Sequence, residues 1–220
     1  LTYRAEMWGG RSLPDTATIA AEASVGGDSA YQDSLTGEQV KRVLAARGFR
    51  PELIREFSAK TRGLFLGYAD HHAGQRLHSG ATVGVRVSDG PGVPEGTVGQ
   101  QVADVIDTLE SMHVPVQYKQ VVVSDTTRYP AGQVVATDPA DGQAVPDDQM
   151  AQGITVGVAA EGSGVPFDIV GEDAQQASDR LTSQGYQVTL EPRFSSRTYI
   201  GKISGSSPGP GSALDSGQAV

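Results

Sequence analysis

The chain contains no cysteine among its 220 residues, and aromatic side chains make up only 6% of them. The absence of cysteine excludes disulfide bonds, thiolate metal sites and a cysteine nucleophile. No apolar run approaches the ~18–20 residues that span a bilayer, and no signal peptide is recognisable. The chain starts at Leu1 and not at Met. We therefore expect a fragment or processed product whose anchor, or whose catalytic domain, lies elsewhere.

Positive charge is also scarce, since the formal net charge is −9. A negative chain does not favour nucleic acid as a partner. The deficit is concentrated in residues 93–164, which carry 2 Lys and Arg against 10 Asp and Glu, whereas residues 1–92 carry 11 against 10 and residues 165–220 carry 4 against 6. We expect ligands to avoid the acidic middle region and to use the regions on either side of it.

Signatures of catalysis are missing as well. The sequence contains no glycine-rich phosphate loop followed by Lys and Ser or Thr, no kinase catalytic loop and no nucleophile elbow. The sequence therefore predicts a non-catalytic chain that needs no cofactor. A kinase domain or, as the second choice, a transpeptidase domain is left open for the longer protein.

An internal repeat of about 70 residues dominates what is present, and such repeats decide the fold. Val93-Pro94 and Val165-Pro166 begin two copies 72 positions apart, and Leu13-Pro14 begins a more divergent one. Four columns agree in order, and they are Ser34, Gly99 and Gly171; Leu44, Leu109 and Leu181; Gly48, His113 and Gly185; and the turns at 70–74, 138–142 and 207–211. The predicted division is an arm at 1–12 and three repeats at 13–92, 93–164 and 165–220.

Each repeat shows the pattern of one helix followed by short strands. The first helix is predicted to begin at Thr36, whose spacing to Gln39 fits a capping box, and the third to begin after Asp173 as N-cap. The predicted strands are 53–57, 63–68, 82–88, 114–123, 133–137, 154–158, 186–191 and 202–206. Residues 16–32 are predicted to be an inserted loop. Val220 aligns with Val83, so the last strand is expected to be cut short.

The motif Val93-Pro94 … Gly99 … Leu109 … Asp138-Pro-Ala-Asp-Gly142 … Ile154-Thr-Val156 resembles a PASTA repeat, and the third copy is similar to it. The first copy departs at Ser34 and lacks the turn proline, and the second departs at His113, where the family has glycine. The resemblance covers residues 13–220. It implies an α+β fold of three tandem small units, each with one helix packed on a roughly three-stranded, mostly antiparallel sheet, in an extended rod.

The same resemblance implies a location on the extracytoplasmic face of a bacterial membrane, within the cell wall of a Gram-positive organism. There the chain would sense peptidoglycan fragments or wall precursors as the ectodomain of a membrane Ser/Thr kinase. Two alternatives stay open, a spacer rod without a ligand and the C-terminal repeats of a penicillin-binding protein. Contact with the membrane is expected only through an anchor outside the chain, and weak self-association is left open.

The loop of the third repeat is the predicted ligand site. Arg offers a planar, bidentate donor for carboxylates such as those of wall stem peptides, and neighbouring aromatic rings can stack on sugar faces. The candidate residues are Glu191, Arg193, Phe194, Arg197 and Tyr199. The simpler interpretation, a solvated hairpin loop, is kept beside this one.

Three further features have a functional and a plain interpretation. His71, His72 and His78 with Asp70 could suit zinc or nickel, but adjacent side chains on a turn diverge, so we predict a polar loop and no metal site. Arg42, Arg47, Arg50, Arg55 and Arg62 could attract anionic polymer or lipid, but a solvated surface is the preferred interpretation. In the arm, Trp8 and Tyr3 fit either a membrane interface or packing on the first repeat.

Overall fold

The computed structural model describes residues 10–25 and 31–220, and these have an α+β fold. The described residues contain four α-helices, namely Thr16–Val25 (α1), Gly37–Ala46 (α2), Val102–Glu110 (α3) and Ala174–Ser183 (α4). They also contain eight strands, namely Arg11–Ser12 (β1), Arg50–Glu56 (β2), Phe65–Tyr68 (β3), Arg76–Leu77 (β4), Thr82–Ser88 (β5), Val116–Val122 (β6), Val134–Asp138 (β7) and Ile154–Ala160 (β8).

The chain divides into two compact units. One consists of the described part of Leu1–Pro94 with Ser111–Val114 and Ala144–Pro146. The other consists of Glu95–Glu110, Pro115–Gln143 and Asp147–Val220. The second repeat contributes to both units, and the boundaries of three separate domains therefore stay a prediction.

The first two repeats contain sheets of the same topology. The strand orders are β2-β5-β3 and β6-β8-β7, so the last strand of the repeat lies in the centre of each sheet. The first strand runs parallel to this central strand, and the middle strand runs antiparallel to it. With the antiparallel pair β1-β4, three of the five strand pairings in the described residues are antiparallel. The α+β class and the small, mostly antiparallel sheets are thus confirmed.

The helix starts follow the predicted capping residues. Thr36 accepts the amide of Gln39 at 3.2 Å while the Gln39 side chain accepts the amide of Thr36 at 2.9 Å, which is a complete capping box. The Asp173 carboxylate accepts the amides of Gln175 and Gln176, each at 3.0 Å. The apolar stripes are buried as expected, with Leu44, Leu109 and Leu181 all at most 2% exposed.

The loop predicted at residues 16–32 is wrong over Thr16–Val25, which is helix α1, while residues 26–30 lie outside the described residues. The Asp15 carboxylate accepts a hydrogen bond from the amide of Thr18 at 2.8 Å and so caps the N-terminus of α1. Ile19 is fully buried in the core of the first unit, and Glu22 forms an ion pair with Arg47 near the end of α2. The small residues around Ile19 give little helical periodicity, so the sequence pattern did not indicate a helix. Packing of α1 on α2 stabilises the helix instead.

The strands predicted at 186–191 and 202–206 in the third repeat are also wrong. In place of strands the structure has isolated bridges, Gln187 with Ala219 in parallel and Asp173 with Lys202 in antiparallel orientation. The helix α4 and a small core nevertheless form, with Val165, Ile169, Ala177, Leu181 and Tyr186 buried together. Apolar alternation alone predicted strands here, but a strand also needs partners along its length.

The predicted arm contributes to the first repeat. Arg11 and Ser12 form β1, which pairs with Leu77 and Arg76 of β4. The Arg11 guanidinium donates to the main-chain oxygen of Arg47, the residue that follows α2, where a cation is favourable for the helix dipole. Trp8 and Tyr3 lie outside the described residues.

Candidate functional site

The segment Leu190–Ile200, here called the distal loop, begins directly after the folded part of the third repeat. Helix α4 ends before Gly185, Tyr186 is buried at 4% exposure, and the amide of Thr189 donates to the main-chain oxygen of Val220 at 2.9 Å. Beyond that bond the chain has no regular structure until the 3-10 turn Arg197–Tyr199. The helix and the small core thus hold the start of the loop, and the loop itself projects into solvent.

Large apolar side chains in the distal loop are exposed to water. Phe194 is as exposed as in an isolated residue (111%), and Ile200 and Leu190 are exposed at 78% and 44%. Single exposed apolar residues are ordinary, and here three of them occur within the eleven positions of one loop. Phe194 is therefore free to stack on a ligand without displacing any neighbour.

The charged residues of the distal loop have different environments. The Arg193 guanidinium donates to the Glu191 carboxylate at 3.2 Å, and both side chains are at least 70% exposed. An ion pair this exposed is worth little, so an external carboxylate can compete for Arg193. Arg197 makes no ion pair within residues 10–25 and 31–220. Tyr199 is half-buried in the 3-10 turn.

The structure thus brings Glu191 and Arg193 together and leaves Phe194 and Arg197 without a side-chain partner among the described residues. Tyr199 donates its amide to the main-chain oxygen of Ser196 at 3.0 Å, which shapes the turn that carries Arg197. The role of the five residues in ligand contact stays a prediction. What the loop can do chemically is offer two guanidinium groups and one ring face to an anionic, partly apolar ligand.

Three of the five arginines that the sequence indicated in the first repeat, Arg47, Arg55 and Arg62, are bonded to neighbouring groups of the protein. Arg47 donates from Nε to Glu22 at 3.0 Å, and this bond lowers the pKa of the Glu22 carboxyl below its ordinary value. Arg55 bonds the Asp89 carboxylate at 2.8 Å, and Arg62 donates to the main-chain oxygen of Asp89 at 3.2 Å. These guanidinium groups are engaged by their neighbours, which agrees with the plain interpretation of a solvated surface.

The histidines do not converge on a metal site. His72 and His78 each place Nδ1 near the main-chain oxygen of the next residue, at 3.1 and 3.0 Å. No group of three His, Cys, Asp or Glu side chains that could hold a metal ion occurs in the part of the chain that the structure describes. Over the same residues no helix is long and apolar enough to cross a membrane.

One contact of the second repeat was missed at the sequence level. The Asp141 carboxylate accepts three successive amides, those of Gly96, Thr97 and Val98, at 2.8, 2.9 and 3.1 Å. These three hydrogen bonds hold residues 96–98, at the beginning of the second repeat, against the turn 138–142. The second aspartate of that turn was the available signal, because a carboxylate in a turn commonly accepts main-chain amides.

Comparison with known proteins gives one family. The model of the PASTA domain matches residues 167–220, which make up most of the third repeat. No protein with a curated description matches the chain.

Two solved structures are similar to this chain, both from Staphylococcus aureus. The entire extracellular region of the Ser/Thr kinase PrkC is 18% identical with a TM-score of 0.26, over 83% of this chain and 64% of that one. The three-PASTA-domain structure of a Ser/Thr kinase is 17% identical with a TM-score of 0.28, over 85% of this chain and 94% of that one. This chain thus spans less than two thirds of the first of these structures.

Proposed function

We propose, on the premise that residues 167–220 match the PASTA domain model, that the chain is an extracytoplasmic module that binds peptidoglycan fragments or wall precursors. The distal loop of the third repeat makes the contact. In the longer protein this module is the sensor of a membrane Ser/Thr kinase, and it reports occupancy or clustering to the catalytic domain.

The observation that carries the proposal is the exposed Phe194 between Arg193 and Arg197. A muropeptide combines sugar rings with peptide carboxylates, which are the groups that an aromatic face and a guanidinium fork recognise. The acidic second repeat repels such an anion, whereas the distal loop carries two cations, Arg193 and Arg197, against Glu191. The charge distribution therefore directs an anionic ligand to the third repeat.

Binding is tested by titrating the whole chain with a soluble muropeptide and following backbone amide shifts by NMR. We expect shifts confined to the distal loop and a weak affinity. Arg193→Ala and Arg197→Ala each raise the Kd about tenfold or more, because a hydrogen bond to a charged group contributes ~1.5–3 kcal/mol. Phe194→Ala weakens binding through loss of stacking.

Lys202→Ala is the matched control, because it removes an exposed cation of the same repeat outside the distal loop. It should change the Kd far less than the two arginine variants. If millimolar muropeptide shifts no amide of the distal loop, the binding function is wrong for this chain. The chain would then be a spacer that sets the distance between other domains.

A further inference from the structure

The segment that follows β6 is bonded to the beginning and to the turn of the third repeat. Ser124 donates to the Asp168 carboxylate twice, from its amide at 3.0 Å and from its hydroxyl at 2.7 Å. The amide of Val122 donates to the main-chain oxygen of Gly211 at 3.0 Å. We call this set of contacts between the second and third repeats the junction. It lies within one compact unit of the chain.

An apolar cluster lies beside these hydrogen bonds. Val123, Val135 and Ala159 are buried, and Val121, Tyr129 and Phe167 pack against them. The rings of Tyr129 and Phe167 meet edge to face, with centroids 6.1 Å apart and planes at 89°. Such pairs contribute beyond the area that they bury. The third repeat therefore contributes Phe167 to an apolar cluster whose other members belong to the second repeat.

Close approach at Gly211 shows how tightly the two repeats fit. A Cβ on Gly211 would lie 2.6 Å from Cγ1 of Val121, and the residue has a φ of +86°, which favours glycine. Its main-chain oxygen is the acceptor of the Val122 amide. A side chain at this position would therefore force the turn of the third repeat or Val121 of β6 to shift.

The residues of the junction are not a feature of every repeat boundary. The strand register places Ser58 where the second repeat has Ser124, whereas Gly96 and Glu95 stand where the third repeat has Asp168 and Phe167. Gly96 has no carboxylate, so the carboxylate–hydroxyl pair of the junction has no counterpart at that position. The junction is thus a specific property of the second and third repeats and does not follow from the repeat pattern.

We propose that the junction locks the second and third repeats into one rigid body, which carries the distal loop in a fixed orientation. Relative motion is the ordinary expectation for neighbouring domains with a small contact. Here three hydrogen bonds, a ring pair and a close backbone approach restrain it. A force on the third repeat, or a displacement caused by a ligand bound to it, therefore moves the second repeat as well, and the angle between the two repeats does not change.

The test measures a distance across the junction in the whole chain. Because the protein has no cysteine, nitroxide labels can be placed uniquely at Lys119→Cys on β6 and Gln176→Cys on α4, both exposed. Pulsed electron paramagnetic resonance should give a single narrow distance distribution. In the pair Ser124→Ala with Phe167→Ala, and separately in Gly211→Ala, the distribution should broaden about twofold or more as the repeats gain independent motion.

Ser183→Ala is the matched control. It also removes one exposed serine hydroxyl, which donates to the main-chain oxygen of Arg180 at 2.6 Å, but within α4 and away from the junction. Its distribution should stay narrow. Circular dichroism and amide spectra verify that α4 is intact in each variant. If Phe167→Ala or Gly211→Ala unfolds the third repeat, Ser124→Ala alone carries the test. A distribution that stays narrow in the folded junction variants, or that is already broad in the native chain, overturns the proposal.

Discussion

At the scale of single residues, the aligned positions that follow the helices of the three repeats share one backbone conformation. Gly48 and Gly185 follow α2 and α4 with φ of 81° and 93°, and His113 stands in the same column after α3 with φ of 55°. The left-handed conformation is costly for a residue with Cβ. His113 therefore has the left-handed backbone conformation of the aligned glycines Gly48 and Gly185, but it carries a Cβ atom. The backbone of the second repeat is strained at this position.

His113→Gly should stabilise the protein. Removing Cβ from a left-handed residue relieves ~1 kcal/mol, although the added freedom of glycine in the unfolded chain takes back part of this gain. The free energy of unfolding, from urea denaturation followed by circular dichroism, should rise by up to ~1 kcal/mol. Gly48→Ala is the opposite control and should lower it. A decrease with His113→Gly would mean that the imidazole makes a contribution larger than the strain.

The candidate site shows the limit of prediction at the same scale. Arg193, Phe194 and Arg197 are exposed in the distal loop, whereas their role in ligand contact stays a prediction. The sequence could not show that Glu191 bonds Arg193, since that pair depends on local backbone direction. Ser124 and Asp168 lie 44 positions apart, and no periodicity connects two polar residues at such a separation.

At the scale of elements, prediction succeeded where a short sequence pattern is enough to determine a helix start or a strand. The capping box at Thr36, the Asp173 cap and the strand Thr82–Ser88 were found because caps and alternation are local signals. Helix α1 was missed because its stability comes from burial of Ile19 against the first core. The third repeat lacks its predicted strands because pairing within them is limited to single bridges, Gln187 with Ala219 and Lys202 with Asp173.

Ile19→Ala should test α1 as a part of the first core. Ile19 is completely buried, and truncation of a buried isoleucine costs ~2–5 kcal/mol. The loss should be visible as a lower urea midpoint for the first unit. Glu22→Gln, which removes the exposed ion pair with Arg47, should cost at most ~1 kcal/mol. If both substitutions cost the same small amount, α1 contributes little to the core.

At the scale of the whole molecule, pH should act through carboxyl groups whose pKa is shifted by folding, and three of these lie in the described residues. Hydrogen bonds from Thr18 lower the pKa of Asp15, and the bond from Arg47 lowers that of Glu22. Burial acts to raise the pKa of Asp168, but the bonds from Ser124 outweigh it, and the pKa lies below its ordinary value. Because each folded pKa is depressed, the stabilisation is complete above the unfolded values near ~4–4.5 and is lost as pH falls through the folded values.

The midpoint of thermal unfolding should therefore be nearly constant between neutral pH and about pH 5, and fall below it. In Asp168→Asn the decrease for the third repeat should be smaller, since that carboxyl no longer titrates. Asp148→Asn, at an exposed position, controls for the loss of one negative charge. An unchanged pH profile in Asp168→Asn would show that the carboxylate adds no pH-dependent stability to the folded chain.

The parallel pairing of the first and last strands has a consequence for how the protein is made. Arg50 lies opposite Thr82 in the first repeat, and Gln187 opposite Ala219 occupies the same register in the third. During synthesis on the ribosome, the first strand of a repeat leaves the exit tunnel long before its partner. While it waits, β6 can encounter β5 of the preceding repeat, a strand of the same length. Correct folding of this chain therefore requires that the strands of each repeat pair with one another before the strands of the next repeat emerge from the ribosome.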